Sequence, residues 1–383
     1  MHETRPLGGR LLTLPLLLLA ALSLAAFWYL GQRFLYGLGA VTHLNNGYPW
    51  GIWVVYDVVI ATAFACGGFV VAFVVYVANG MRYHPLIRPA LLASLLGYAL
   101  GGFSAIFDMG RYWNAYNLFL PWHQNFNSVM LEVGLCVAAY IIVLAIEFAP
   151  VAMERWKLGN AQRRLEKLLF FFIALGIVLP TMHQSSLGSL LIALGSKVSP
   201  LWQAWELMPL LALGSAVIMG FSIVLFEGAF SALGFKRPSE TPLLAAFAQP
   251  IVWLLGAWLA VRFGELLVRD KLGHAFAGDL RSIMFWLESA LFVLPMLVLA
   301  SPRRRRRGHL LLLAAVGMLL AGALYRTNAF LIGFDPGPGY TYFPSVPELL
   351  VSIGLVAFEI LVFIIVVKTF PVLHAPSHPR GSR

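Results

Sequence analysis

The chain alternates long apolar runs with short polar or aromatic stretches. The apolar runs fall at about 11–30, 52–78, 90–107, 127–149, 168–194, 207–233, 243–264, 281–300, 309–328 and 347–367. A helix needs about 20 apolar residues to cross the hydrocarbon core, so the pattern predicts ten transmembrane helices. The first run follows Arg5 and Arg10 in the manner of a secretion signal. It is longer than the roughly 7–15 apolar residues of such a signal, and it is read as a retained helix.

Composition places the chain in a bilayer. Charged residues are 11% of the total, against roughly 25% in soluble domains. The net charge of +10 lies in the loops between spans and reads as a topology signal, not a nucleic-acid footprint. Lys and Arg number 19 on the side holding the N-terminus, loops 79–89, 150–167, 234–242 and 301–308 and the C-terminal tail, against 8 on the other. Basic loops favour the cytoplasm, so both termini are expected there. The run Arg303 to Arg307 also suits lipid headgroups. Cys66 and Cys136, the two cysteines, are too few for an iron–sulfur cluster held by this chain alone.

The opposite loops are of a different kind. Loops 31–51, 108–126 and 326–346 are rich in Trp, Tyr, Phe, Pro, Gly and Asn. An interfacial aromatic belt accounts for part of this. Stiff, aromatic, nearly uncharged loops also resemble a protein-docking surface.

Ionisable residues inside spans are expensive and tend to mark functional routes. Asp57 and Glu132 each lie about five residues into their spans from the aromatic-loop side, roughly 7–8 Å deep. Asp108 and Arg111 stand at the outer end of the third span, and Gln203 and Glu206 open the sixth. His183 and Gln184 follow Pro180 past the midpoint of the fifth. Together they predict a polar pocket beneath the aromatic-loop surface. Blander roles stand beside this one: Arg111 neutralising Asp108, Asp57 reaching headgroups, His183 bonding a nearby carbonyl. Glu132 has no basic residue within a turn, so its partner must come from another helix or from water. Deeper acids, Glu147, Glu227, Glu288 and Glu359, suggest a broken proton route. Of nine histidines only His183 is well inside a span, so a haem with two axial histidines is not expected. A histidine–methionine pair stays open, with none of the eleven methionines singled out, and neither haem nor metal is assigned to the chain.

The runs YPWGIWVVYD, ACGGFVVA, YHPLIRPALLASLLGY, FDMGRYWN, NSVMLE, EFAP, LPTMHQSSLGSL, IMGFSIVLFEG, RFGEL, RDKL, AFAGD and GYTYFP, over residues 6–370, closely resemble the NrfD/polysulfide-reductase membrane-subunit family, in the branch serving Hyb-type (hydrogenase-2) nickel–iron hydrogenases. That resemblance implies an all-α polytopic membrane protein of two four-helix bundles with an additional N-terminal and C-terminal helix. The implied divisions are 1–51 (first helix and loop), 52–194 (quinone bundle), 195–330 (second bundle) and 331–383 (loop, last helix and tail). It further implies a haem-free, quinone-reactive subunit in a bacterial inner membrane. A periplasmic iron–sulfur subunit would dock on the aromatic loops and link to the large and small nickel–iron hydrogenase subunits.

On this reading electrons from hydrogen reach menaquinone, with the reverse direction chemically permitted. Trp50, Trp53, Tyr112 and Trp113 would wall the quinone, and His183, Gln184 and Arg111 would bond it. Glu132, Asp57 and Asp108 would handle its protons. The side from which the protons come stays open. The rival readings are a membrane subunit of another periplasmic reductase, of polysulfide or nitrite type, a proton or ion transporter, and a passive anchor.

Overall fold

The computed structural model describes residues 5–234 and 240–373. Ten helices are long and apolar enough to cross a membrane: α1 (Leu14–Tyr36), α2 (Val54–Val77), α3 (Met81–Asp108), α4 (Val129–Arg155), α5 (Leu169–Lys197), α6 (Trp205–Gly234), α7 (Thr241–Val268), α8 (Leu280–Ala300), α9 (Gly308–Ile332) and α10 (Val346–Thr369). No strand occurs among the described residues. Lys236, Arg237, Arg380 and Arg383, which enter the charge argument, lie outside the described residues.

Local chemistry sets several helix starts. Ser128 caps α4 by accepting from the Leu131 N–H, and Asp279 caps α8 through the Ser282 N–H at 2.8 Å. This bond outweighs a smaller opposing desolvation and holds the Asp279 carboxyl below the usual range. Ser345 and Glu348 form a reciprocal capping box at α10.

Helix neighbours follow the two-bundle expectation. α2 to α5 pack in sequence, with α5 returning onto α2, and α6 to α9 close a second ring in the same way. The rings share a seam, because α6 also packs on α2 and α5, and α9 on α2. α1 and α10 pair outside the rings, and α10 leans on α3. The chain divisions near 51, 194 and 330 remain a proposal.

One helix departs from the expected regularity. α2 has π-helical turns over Val54–Ile60 and Phe73–Val77, with a break at Ala65 and Cys66. Such wide turns shift the hydrogen-bond ladder and tend to occur at functional sites. The first of them carries Asp57.

Candidate functional site

The most enclosed polar cluster lies where α2, α3, α5 and α9 meet. Thr62 of α2 is its hub. Its hydroxyl donates to the Val58 carbonyl, which uses its single proton. It therefore accepts from His183 Nε2 at 3.1 Å and from Gln184 Nε2 at 3.1 Å. That network assigns the His183 proton to Nε2 and leaves Nδ1 as a bare acceptor. Nδ1 is buried without a partner, as is Gln184 Oε1. Thr62, His183 and Gln184 are all fully buried. Tyr98 of α3 closes the cluster, its hydroxyl 3.5 Å from Gln184 Nε2 and 3.7 Å from the Cys66 sulfur.

A buried arginine absent from the sequence reading stands beside this cluster. Arg326 donates to the Val59 carbonyl at 2.8 Å, the Ala212 carbonyl at 2.9 Å and Ser215 Oγ at 3.1 Å, tying α9 to α2 and α6. None of these partners is a carboxylate, and Arg326 Nε has no partner. Its charge acts on His183. The cluster thus offers an acceptor and a nearby fixed positive charge in a water-poor setting, where both are strong.

Asp57 is 1% exposed, and neither carboxylate oxygen has a partner. It lies within electrostatic reach of Asp108 and Glu359. Asp108 ends α3, receives the Gly51 N–H and keeps Oδ1 buried without a partner.

The remaining expected residues require correction. Glu132 was placed a turn and a half inside its span. α4 begins at Val129, so Glu132 stands in the first turn with its side chain exposed. Arg111 is exposed in the loop after α3 and pairs with no carboxylate among the described residues. Its expected place is taken by Arg33 of α1, which donates to the Phe107 carbonyl at 2.5 Å and to the Met109 carbonyl. Arg33 also sits over the rings of Phe34 and Tyr112. Trp50 and Trp53 are buried, but their indole N–H groups are committed to the Phe330 and Glu348 carbonyls, at 2.9 and 3.0 Å. Through these bonds they brace the start of α2 against α9 and α10. Tyr112 is half-buried and Trp113 exposed in the loop. Gln203 spans the Leu191 and Gly195 carbonyls, and exposed Glu206 pairs with Arg269 at 2.6 Å.

The deeper acids do not converge either. Glu147 lies between α4 and α5, against Gly176, with Oε1 unpartnered. Glu227 borders a cavity of about 30 Å³ between α3 and α6, beside Pro85 and Ser231. Glu288 is locked in the second bundle by Trp202 Nε1 and Asn328 Nδ2, both at 2.8 Å, with Arg262 at 3.8 Å.

Glu348 is a second hub missed in the sequence. It accepts from the Tyr342 hydroxyl at 2.6 Å, the Ser345 N–H at 2.7 Å and the His43 N–H at 3.0 Å, joining two aromatic loops. Burial, with this bond to Glu348, raises the Tyr342 hydroxyl well above the ordinary tyrosine range. Beyond that clamp the loops expose Trp113, Tyr116, Phe119, Trp122, Phe126 and Phe343.

Comparison with known proteins places these features. The family model "Polysulphide reductase, NrfD" matches residues 40–332. The chain is 48% identical over 376 residues to the probable Ni/Fe-hydrogenase 2 b-type cytochrome subunit of Escherichia coli, covering 97% of this chain and 95% of that one. It is 29% identical over 163 residues to the integral membrane subunit of menaquinone reductase from Nitratidesulfovibrio vulgaris, covering 40% of this chain and 37% of that one. It is 23% identical over 388 residues to a selenate reductase subunit of Mesobacillus selenatarsenatis, covering 86% and 88%.

One expectation is overturned here. The sequence reading gave the chain menaquinone and no haem, whereas the E. coli relative is named a b-type cytochrome subunit, a name that implies haem. Among the described residues His183 is the one buried histidine, and its Nε2 is engaged by Thr62. The residues present therefore do not fit a haem held between two axial histidines, and no step is assigned to such a group. By the match over residues 40–332 and the 48% identity over nearly its whole length, the chain belongs to the NrfD family of polysulphide-reductase-type membrane proteins.

Proposed function

We propose that the chain is the quinone-reactive membrane subunit of a hydrogenase, exchanging electrons between a partner docked on the aromatic loops and a quinone at the His183 cluster. The observation that carries this reading is the bare Nδ1 of fully buried His183. A quinol hydroxyl would donate to that nitrogen. A quinone oxygen gaining negative charge would be stabilised by the nearby Arg326 guanidinium. The names of the E. coli hydrogenase subunit and the menaquinone reductase subunit support both halves of the proposal.

The reaction adds two electrons and two protons to the quinone. The electrons would come from the partner, because the described residues contain no metal-binding cluster of His, Cys, Asp or Glu to relay them. An iron–sulfur protein bound to the hydrogenase large and small subunits meets that need. The exposed rings of loops 108–126 and 326–346 suit such a contact. Exposed Glu132 would exchange protons with water at the rim, and buried Asp57 would hold them within the protein. The basic-loop asymmetry supports a bacterial inner membrane location with cytoplasmic termini, which puts the aromatic loops in the periplasm.

The test compares the wild-type complex with His183→Leu. Hydrogen-dependent quinone reduction is expected to fall about 100-fold, in line with the loss of a general acid–base group, while hydrogen oxidation with an artificial dye persists. Equal quinone reduction by both proteins would refute the assignment. A transporter would show neither quinone dependence nor electron transfer.

A further inference from the structure

α10 lies beyond the residues matched by the family model. It is among the most apolar of the spans, yet Glu348, Ser352 and Glu359 recur along it at intervals of four and seven, which places them on one helical face. That face turns inward. Glu348 is 1% and Ser352 6% exposed, and Ser352 Oγ has no hydrogen-bond partner.

Two glycines of α3 fix the depth of Glu359. A Cβ on Gly97 would stand 2.7 Å from the Ala65 Cβ and 3.3 Å from Glu359 Oε1. One turn towards the aromatic loops, a Cβ on Gly101 would stand 2.8 Å from the Asp57 carbonyl oxygen. Glu359 therefore sits at the α2–α3–α10 junction, about 6 Å deeper than Asp57. Asp108, seven residues past Gly101 on α3, stands about 10 Å nearer the surface. Ser352, two turns before Glu359 on α10, falls between the levels of Asp57 and Asp108.

Four groups thus stand at successive depths about the α2–α3–α10 junction: Asp108, Ser352, Asp57 and Glu359. Asp108 Oδ1, Ser352 Oγ and both Asp57 oxygens are buried without partners. Buried oxygens of this kind need a proton, a water or a ligand to satisfy them. Glu348 is set apart from these groups, because three donors hold it in the seam's outer wall.

We propose that the seam between α10 and the first bundle is a proton path, running from Asp108 at the aromatic-loop surface through Ser352 and Asp57 to Glu359 in the bilayer interior. Each carboxyl takes a proton on one oxygen and releases one from the other, and water bridges the intervals. No bond other than O–H forms or breaks. The path deepens the quinone reading, on which it rests, by giving protons a route between the site and the aromatic-loop side. Its innermost relay is supplied by a helix added to the shared family core.

The test uses the whole hydrogenase complex in vesicles, with Glu359→Gln, Glu359→Asp and Ser352→Ala. Three readouts are taken: hydrogen-dependent quinone reduction, the net proton change shown by an impermeant pH dye on the aromatic-loop side, and dye-linked hydrogen oxidation as the assembly control. The two protons that hydrogen oxidation releases on that side match the two the path takes up, so the wild-type complex is expected to show no net acidification. Two protons released per quinone would overturn the path. Glu359→Gln is expected to lower quinone turnover by about 100-fold while dye-linked hydrogen oxidation holds. Glu359→Asp restores most of that turnover, and Ser352→Ala slows it by less. Wild-type turnover in Glu359→Gln would overturn the proton path while leaving the quinone reading intact. An assembled Glu359→Asp complex as inactive as Glu359→Gln would overturn it too, because a relay needs only the carboxyl. A wild-type complex that oxidises hydrogen but reduces no quinone would remove both proposals.

Discussion

Replacing Thr62 by valine tests the hub of the buried cluster with almost no change of shape. The hydroxyl accepts two hydrogen bonds, from His183 Nε2 and Gln184 Nε2, and gives one to Val58. Without it two buried donors lose their acceptor. Each orphaned donor costs about 1–3 kcal/mol. Gln184 keeps a long contact to Tyr98 at 3.5 Å, which returns part of the loss. The expected net destabilisation is about 3 kcal/mol, measurable by unfolding the purified chain in mixed micelles. Function should suffer separately, because Thr62 fixes the His183 ring and its tautomer. A loss of orientation worth about 1.4–2.7 kcal/mol in the transition state lowers quinone turnover about 10- to 100-fold. Thr62→Ser keeps the hydroxyl and should restore turnover even where packing is weakened. Thr62→Val with unchanged stability and wild-type turnover would refute both the hydrogen-bond hub and its place in the quinone site.

Three further outcomes follow from the geometry. Arg33→Ala removes the guanidinium that holds the Phe107 and Met109 carbonyls, so limited proteolysis should cut the 109–126 loop at least about ten-fold faster, as expected when loss of the charged hydrogen bonds frees about 1.5–3 kcal/mol. Glu132→Gln keeps the cap of α4 but cannot exchange a proton; quinone turnover should fall and dye-linked hydrogen oxidation should hold, whereas a shared loss would make Glu132 structural. Tyr342 has its folded pKa raised by burial and by Glu348. Its contribution to stability is therefore complete below the unfolded tyrosine value and lost as pH rises past it. Tyr342→Phe should flatten that alkaline decline in a pH series of unfolding curves, and an unchanged decline would count against the clamp.

The membrane architecture was legible because its cause is local. A span needs only length and apolarity, and ten such runs map onto ten helices. The polar cluster was half legible. His183 and Gln184 stand out as polar residues after a proline inside an apolar run, and Thr62, one polar residue among many, does not. Arg33 and Arg326 were missed for a shared reason. Each lies near the end of an apolar run, where a charge reads as a loop residue, yet each belongs to a helix and is buried. Their partners are backbone carbonyls of other helices, and no sequence spacing reports those. Glu132 was misjudged through a boundary: starting α4 two residues later moves the side chain into the first turn. The bonds of Trp50 and Trp53 were not legible, because aromatic character does not reveal where an indole N–H is spent. Glu359 was seen as a deep acid, but its alignment with Asp57 requires Gly97 and Gly101 to let α2, α3 and α10 close together.

The most direct test of the central claim is photo-crosslinking of the purified complex with an azide-bearing quinone, followed by peptide mapping. The account predicts label on the α2 segment around Thr62 and the α5 segment around His183, competed by unmodified quinone and lost in His183→Leu. Label confined to the lipid-facing groove of about 180 Å³ lined by Phe69, Phe73, Ile177 and Phe221, in a complex that still reduces quinone, would contradict it.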